Sequence, residues 1–132
     1  MAAAPPQAQP WPVQRLRARR GHDFYPPADS VPPLDSTADT PLEDTVIVAH
    51  YFVGGSDWWI VEADPATGVA FGYARLGVAD TDAERGYIIG ADWGYISLTE
   101  LEGLQVGPMN MVVERDLDWT PRTVKEADLP RV

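Results

Sequence analysis

The chain has 132 residues, of which 45% are hydrophobic, 23% charged and 10% aromatic, a composition suited to one globular domain. Its 20 acidic residues outnumber its 10 bases, and the resulting net charge of -10 argues against a protein that grips phosphate backbones. Cysteine is absent, which excludes disulfides, thiolate chemistry and cysteine-ligated metals, and the two histidines nearly exclude a multi-histidine centre.

No apolar run approaches the roughly 18–20 residues that a bilayer crossing requires. The start, Met1-Ala2-Ala3-Ala4-Pro5-Pro6, has neither the charge nor the hydrophobic stretch of a secretory leader, so the expected setting is the cytoplasm, away from membranes. Nine of the 13 prolines lie before residue 42. Proline removes a backbone donor and biases its predecessor away from helix, so residues 1–44 are expected as an extended or disordered arm. Within it, Arg15, Arg17, Arg19 and Arg20 are accompanied by no acid before Asp23. Val13–Arg20 fits two helical turns stopped by Gly21. It reads either as an arm that docks nucleic acid or a partner, or as a solvated tail lying on the acidic body. Phe24-Tyr25-Pro26-Pro27 gives the arm an aromatic anchor.

From Thr45 the pattern becomes β. Thr45–Val53 and Asp57–Asp64 are rich in β-branched and aromatic residues, and Gly54-Gly55-Ser56 between them suits a tight reversal. Asp64-Pro65-Ala66-Thr67-Gly68 is the strongest turn signal: Asp accepts from the turn amides, Pro fixes φ and Gly takes the left-handed position. Val69–Arg75 then forms the third strand. An uninterrupted ladder from the Asp64–Val69 pair sets Glu62 against Phe71, Ile60 against Tyr73 and Trp58 against Arg75. That register puts Trp58, Ile60, Phe71 and Tyr73 on one face and the small Ala70, Gly72 and Ala74 on the other. Both faces are largely apolar, which places this hairpin in the middle of its sheet.

Asp80, Asp82 and Glu84 suggest a loop, followed by short strands at 86–89 and Asp92–Ser97. Ser97 and Glu100 have capping-box spacing, so a helix should start at Ser97, bury Leu98 and Leu101, and stop at Gly103. Met109–Asp118 reads as the last strand and residues 122–132 as a tail without pattern. The expected fold is α+β, a curved and mainly antiparallel sheet of four to six strands with one short helix, built from residues 45–121.

Along the last strand, Glu114, Asp116 and Asp118 project to one side. Three carboxylates in a row repel unless they are solvated, paired with a base or bridged by a cation. Glu62, Asp64, Glu114 and Asp116, with His50, would suit Mg²⁺ or Mn²⁺; the alternative is a solvated face or pairs with Arg75, Arg85 or Arg122. His50 has no free nucleophile beside it in the pattern, because Ser56 belongs to a turn and Ser97 to a cap. No phosphate-binding loop, dinucleotide fingerprint or nucleophile elbow occurs. Trp58, Trp59, Trp93 and Trp119 read mainly as core anchors; the alternative is an exposed aromatic surface, for which Trp58, Tyr73 and Trp93 are the candidates.

The succession His50-Tyr51-Phe52, Asp57-Trp58-Trp59-Ile60, Glu62-x-Asp64, Ala70-Phe71-Gly72-Tyr73, Trp93-Gly94-Tyr95-Ile96-Ser97-Leu98 and Val113-Glu114-Arg115-Asp116-Leu117 resembles the domain of unknown function 2958 family of small bacterial proteins. The likeness spans about residues 45–121. It implies a protein often carried on plasmids, phages and integrative elements, and it carries over no functional residue.

Three functions fit these observations. The first is a non-enzymatic interaction module that needs no cofactor and meets a protein partner through Trp58, Glu62, Asp64, Tyr73, Trp93, Glu114, Asp116 and Asp118. One form of it inhibits a basic nucleic-acid-handling host protein by imitating the charge of DNA. The second is a carboxylate-site enzyme using Mg²⁺ or Mn²⁺. The third is a nucleic-acid accessory factor working through Arg15–Arg20. Acidity, aromatic content and the missing catalytic motifs favour the first.

Overall fold

The computed structural model describes residues 11–77 and 88–130. In chain order the elements are α1 (Arg17–Arg20), β1 (Val46–Ile47), β2 (Ala49–Val53), β3 (Ser56–Asp64), β4 (Val69–Gly77) and β5 (Ile88–Ser97). They continue with α2 (Leu98–Glu102), β6 (Gln105–Val106), β7 (Met111–Val112), β8 (Glu114–Arg115), β9 (Arg122–Thr123) and α3 (Val124–Ala127). The main sheet is antiparallel with the order β5-β4-β3-β2-β8; two small ribbons, β1-β9 and β6-β7, flank it. This is the expected α+β arrangement, with β3 and β4 central.

The local signals that hold are those with short-range causes. Asp64 Oδ1 accepts from the Ala66 amide at 3.0 Å, and Gly68 sits at φ 77. Ser97 Oγ accepts from the Glu100 amide and starts α2, which buries Leu98 and Leu101 and ends at Gly103. Gly21, at φ 86, ends α1, which is a single turn rather than two.

The ladder between β3 and β4 departs from the uninterrupted register. Asp64↔Val69, Ala63↔Ala70 and Glu62↔Phe71 pair as expected, but Val61 is an extra residue, and beyond it Ile60 meets Gly72 and Trp59 meets Tyr73. A bulge changes the parity of every residue past it. Trp58 and Ile60 therefore pack in the core on one face, while Trp59 and Val61 join Tyr73 on the other. Gly72 is required at this point, because a methyl there would run into the Trp59 carbonyl.

Three further expectations are corrected. The first strand breaks at Val48, whose amide donates to the Ile60 carbonyl, so β1 leaves the sheet to pair with β9. Met109–Asp118 is not one strand: β7 folds back on β6, β8 pairs with β2, and the Trp119 amide donates to the Asp116 carbonyl in a turn. The segment after Pro121 is patterned after all. Thr123 and Glu126 cap each other reciprocally and start α3. The expected strand at 86–89 lies partly outside the described residues, with Ile88 and Ile89 belonging to β5, and Arg85 lies outside them altogether.

Within the stretch expected as an extended or disordered arm, residues 11–31 lie against the sheet. Trp11, Phe24, Tyr25 and Val31 share the core cluster with Tyr51, Trp58, Ile60 and Leu98. Trp11 and Tyr25 stack at 4.7 Å, and the Tyr51 hydroxyl donates to the Phe24 carbonyl at 2.8 Å. Proline limits regular structure here to short turns but does not prevent burial: a proline-rich segment with large side chains still gains by covering an apolar sheet face. No described helix is long and apolar enough to cross a membrane.

Candidate functional site

Two triplets, Phe71-Gly72-Tyr73 on β4 and Trp93-Gly94-Tyr95 on β5, lie in register: Phe71 faces Tyr95, Gly72 faces Gly94 and Tyr73 faces Trp93. Alternation sends all four rings to one side of the sheet. Phe71 meets Tyr95 edge-on at 5.4 Å and stacks with Trp93 at 6.2 Å, and Tyr73 lies 5.2 Å from Trp93. Tyr95 is 68% exposed, and Phe71 and Trp93 are half-buried. Opposite these rings run the loop of residues 35–42 and α3, leaving two clefts. One, of about 430 Å³, is lined by Asp35, Leu42, Val61, Glu62, Phe71 and Tyr95 among others. The second, of about 380 Å³, is lined by Leu42, Glu43, Tyr73, Trp93, Lys125 and Asp128 among others. Carboxylates outnumber bases in both.

Glu62 holds the loop beside the first cleft. It is 5% exposed and accepts from the Asp35 amide at 2.9 Å, from the Thr37 amide at 2.8 Å and from the Thr37 hydroxyl. Burial pushes its pKa up, but these donors outweigh burial and hold the carboxyl below its ordinary value. On the far side of the second cleft, the Tyr73 hydroxyl donates to the Pro130 carbonyl at 2.7 Å.

His50 occupies a separate place on the same face. Its Nε2 lies 2.8 Å from Asp57 Oδ1 and its Nδ1 2.9 Å from Asp116 Oδ2; Arg75 Nη1 then reaches Asp57 Oδ2 at 3.0 Å. The ring stacks on Trp59 at 5.1 Å. An ionised carboxylate can only accept, so both contacts are satisfied together when both ring nitrogens donate, which is the imidazolium form. Burial favours the neutral ring, yet the hydrogen bonds and charges of Asp57 and Asp116 prevail and raise its pKa. Asp116, His50, Asp57 and Arg75 thus form a charge chain tying β8 to β2, β3 and β4. With both nitrogens engaged, His50 has no lone pair to serve as base or metal ligand.

The expected site residues are dispersed. Glu62 secures the 35–37 loop, Asp64 caps the hairpin turn, Glu114 meets His22 at 2.9 Å and Asp116 meets His50. These carboxylates do not converge, and among the described residues no cluster of three or more His, Asp or Glu is arranged to hold a metal ion. Asp118 is exposed, its amide donating to Asp116 Oδ1. Trp58 is buried beneath the opposite face because of the bulge, so it offers no surface. The fold brings Tyr73 and Trp93 together, but Tyr73 is buried, so of the expected aromatic residues only Trp93 reaches the surface.

The arginine cluster is engaged internally. Arg20 is buried, with Nε 2.7 Å from the Val113 carbonyl and Nη1 3.1 Å from Glu102 Oε2. Glu102 also accepts from the Arg15 and Leu16 amides at 2.9 and 2.8 Å. Arg17 pairs with Asp23 at 2.8 Å, and Arg19 donates to the Met109 and Asn110 carbonyls. Arg15 extends toward solvent beside Glu102.

Reading the residues one by one missed Phe71, Tyr95, Leu42 and Glu43 as parts of the site. The repeated aromatic-Gly-aromatic triplet was the available signal, since two such triplets on neighbouring strands stack their rings whenever the glycines align. Comparison with curated proteins and with solved structures yields no significant match. A family profile described as "Protein of unknown function (DUF2958)" does match, over residues 33–125, reaching back to the loop that Glu62 secures and forward into α3. The chain belongs to that family.

Proposed function

We propose that this protein is a small acidic interaction module that binds a protein partner with a basic surface, without catalysis of its own. The observation that carries this reading is the block of four rings on β4 and β5, flanked by clefts in which Asp35, Glu62, Glu43 and Asp128 face a single base, Lys125. Aromatic faces and carboxylates together favour arginine and lysine side chains, through ring quadrupole and charge. The net charge of -10 steers a basic partner toward the molecule and repels acidic ones. The bacterial mobile-element setting implied by the resemblance supplies such partners in the cytoplasm: host proteins whose basic grooves hold nucleic acid. Occupying that groove would inhibit them by charge mimicry.

The competing readings have less support. The candidate metal ligands each serve a different local partner, and three of the four arginines of the supposed arm are hydrogen-bonded within the protein. The test is a capture from bacterial lysate at low and high salt, with the intact chain and the variants Tyr95→Ala and Trp93→Ala. Retention of a basic nucleic-acid-binding protein by the intact chain, lost at high salt and weakened roughly tenfold by either variant, is the expected result. Capture that ignores both salt and the substitutions would overturn the reading.

A further inference from the structure

β5 is a ten-residue strand at the end of the main sheet, paired with β4 on one side and, among the described residues, with no strand on the other. The parity of its backbone is fixed by the bond from the Leu98 amide to the Gly68 carbonyl, 2.9 Å, one step beyond the Val69↔Ser97 pair. Counting back along the ladder, Ile96, Gly94, Asp92 and Gly90 turn their amides and carbonyls toward β4. Ser97, Tyr95, Trp93 and Ala91 turn theirs outward. Trp93 bears this out, because its amide is met by no strand and is satisfied by the carboxylate of the preceding residue, Asp92 Oδ1, at 2.7 Å.

An open edge of this length is a template for another strand, and proteins normally protect it with charge, a bulge or a covering element. Among the described residues the local protection is one exposed carboxylate lying on one amide, together with a ladder irregularity confined to the Ile88–Gly90 end, away from Trp93 and Tyr95. The same strand sends Trp93 and Tyr95 to the face that carries the two clefts. A strand added outside β5 would lay alternate side chains beside those rings.

We infer that β5 receives an extended basic segment of the partner, which adds to the sheet as a sixth strand and lays its arginine or lysine side chains over Trp93 and Tyr95. This rests on the reading of the aromatic face given above and specifies how the partner engages it. Charge selects the occupant. A second copy of the chain would bring another net charge of -10 and a second Asp92 to the junction, whereas a basic segment complements the acidic, ring-bearing face, and its backbone carbonyl replaces the Asp92 carboxylate on the Trp93 amide. The other side of β5 is compatible: a side chain built at Gly90 or Gly94 meets nothing within 4 Å, so the partner's intervening residues find open space there.

The experiment titrates the intact protein with an alternating Arg-Val peptide of about eight residues, an ordinary strand length. Tryptophan fluorescence reports affinity, and hydrogen exchange reports the β5 amides. Two further peptides serve as comparisons: the same sequence with alternate backbone nitrogens methylated, and an alternating Glu-Val peptide. The expected result is slowed exchange at the amides of Trp93 and Tyr95, with the methylated and Glu-Val peptides each binding roughly tenfold or more weakly. Tyr95→Ala, a change at an exposed side chain, should weaken the Arg-Val peptide without altering the circular dichroism. Equal, salt-sensitive binding of the methylated peptide would overturn strand addition and leave the acidic-aromatic reading standing. Failure of every peptide to bind, or equal binding of the Glu-Val peptide, would remove both. Protection of the same amides that grows with protein concentration in the absence of peptide would give the edge to a second copy and overturn the occupant named here.

Discussion

His50 shows how one side chain can carry several of the acids that a strand pattern leaves unpaired. The sequence places Asp116 on a last strand and Asp57 at the start of another, 59 positions apart by their numbers; the fold puts one on each ring nitrogen. The chain of charges ends on Arg75, whose Nε is buried and has no hydrogen-bond partner among the described residues. Because the folded ring is easier to protonate than a free imidazole, its contribution to stability is fully present below the ordinary value of 6.5. It is lost as pH rises through the raised folded value. His50→Gln should therefore destabilise the protein by about 1 kcal/mol at pH 6, after allowing for partial exposure, and by less at pH 9. Urea unfolding at the two pH values measures this, and an equal loss at both would show that the imidazolium contributes nothing.

Among the elements, the segment before β1 is the one whose place depends most on distant contacts. Its attachment is the Arg20–Glu102 pair, whose side chains are 0% and 1% exposed. Glu102 gathers the Arg15 and Leu16 amides as well, so one carboxylate at the end of α2 anchors both α1 and the chain entering it. Burial raises the Glu102 pKa, but these donors and the charge of Arg20 lower it further and keep it ionised. Removing only the acid's charge leaves a guanidinium sealed from water. Glu102→Gln should cost about 3–5 kcal/mol in denaturant unfolding. Protease sensitivity should appear first within residues 11–30; a variant as stable as the parent would mean that this segment is held by its aromatic residues alone.

For the molecule as a whole, the titrating groups set a window. Glu62 and Glu102 have folded values below the ordinary 4.5, so their contribution is complete above 4.5 and is lost as pH falls through those lowered values. His50 works in the opposite direction, above 6.5. Self-repulsion grows with negative charge as pH rises. Thermal unfolding across pH should therefore show a plateau spanning at least 4.5 to 6.5, with a decline on each side. A melting temperature that climbs steadily from pH 6.5 to 9 would contradict this account. In the proposed reading, the -10 charge that causes the repulsion is also what would draw a basic partner, so one feature would cost stability and serve binding.

How much of this was legible depended on the range of the cause. The Asp64–Gly68 turn, the Ser97 cap and the first three pairs of the central hairpin were readable because neighbouring residues decide them. The Thr123–Glu126 cap of α3 was equally local and was overlooked. The bulge at Val61 has no glycine or proline on its own strand and is marked only by Gly72 on the facing one, yet it decides that Trp58 is buried while Trp59 joins Tyr73. Prolines go with short regular structure before residue 42, where α1 is a single turn, but whether that segment leaves or covers the sheet depends on Phe24, Tyr25, Arg20 and a glutamate at position 102. Sequence alone determined the fold class, the acidity and the strands on which the rings lie, since these follow from residue type and spacing. Only the tertiary structure decided which carboxylates are used up in pairing and which rings remain exposed, because desolvation and ion pairing depend on what the chain brings into contact across long separations.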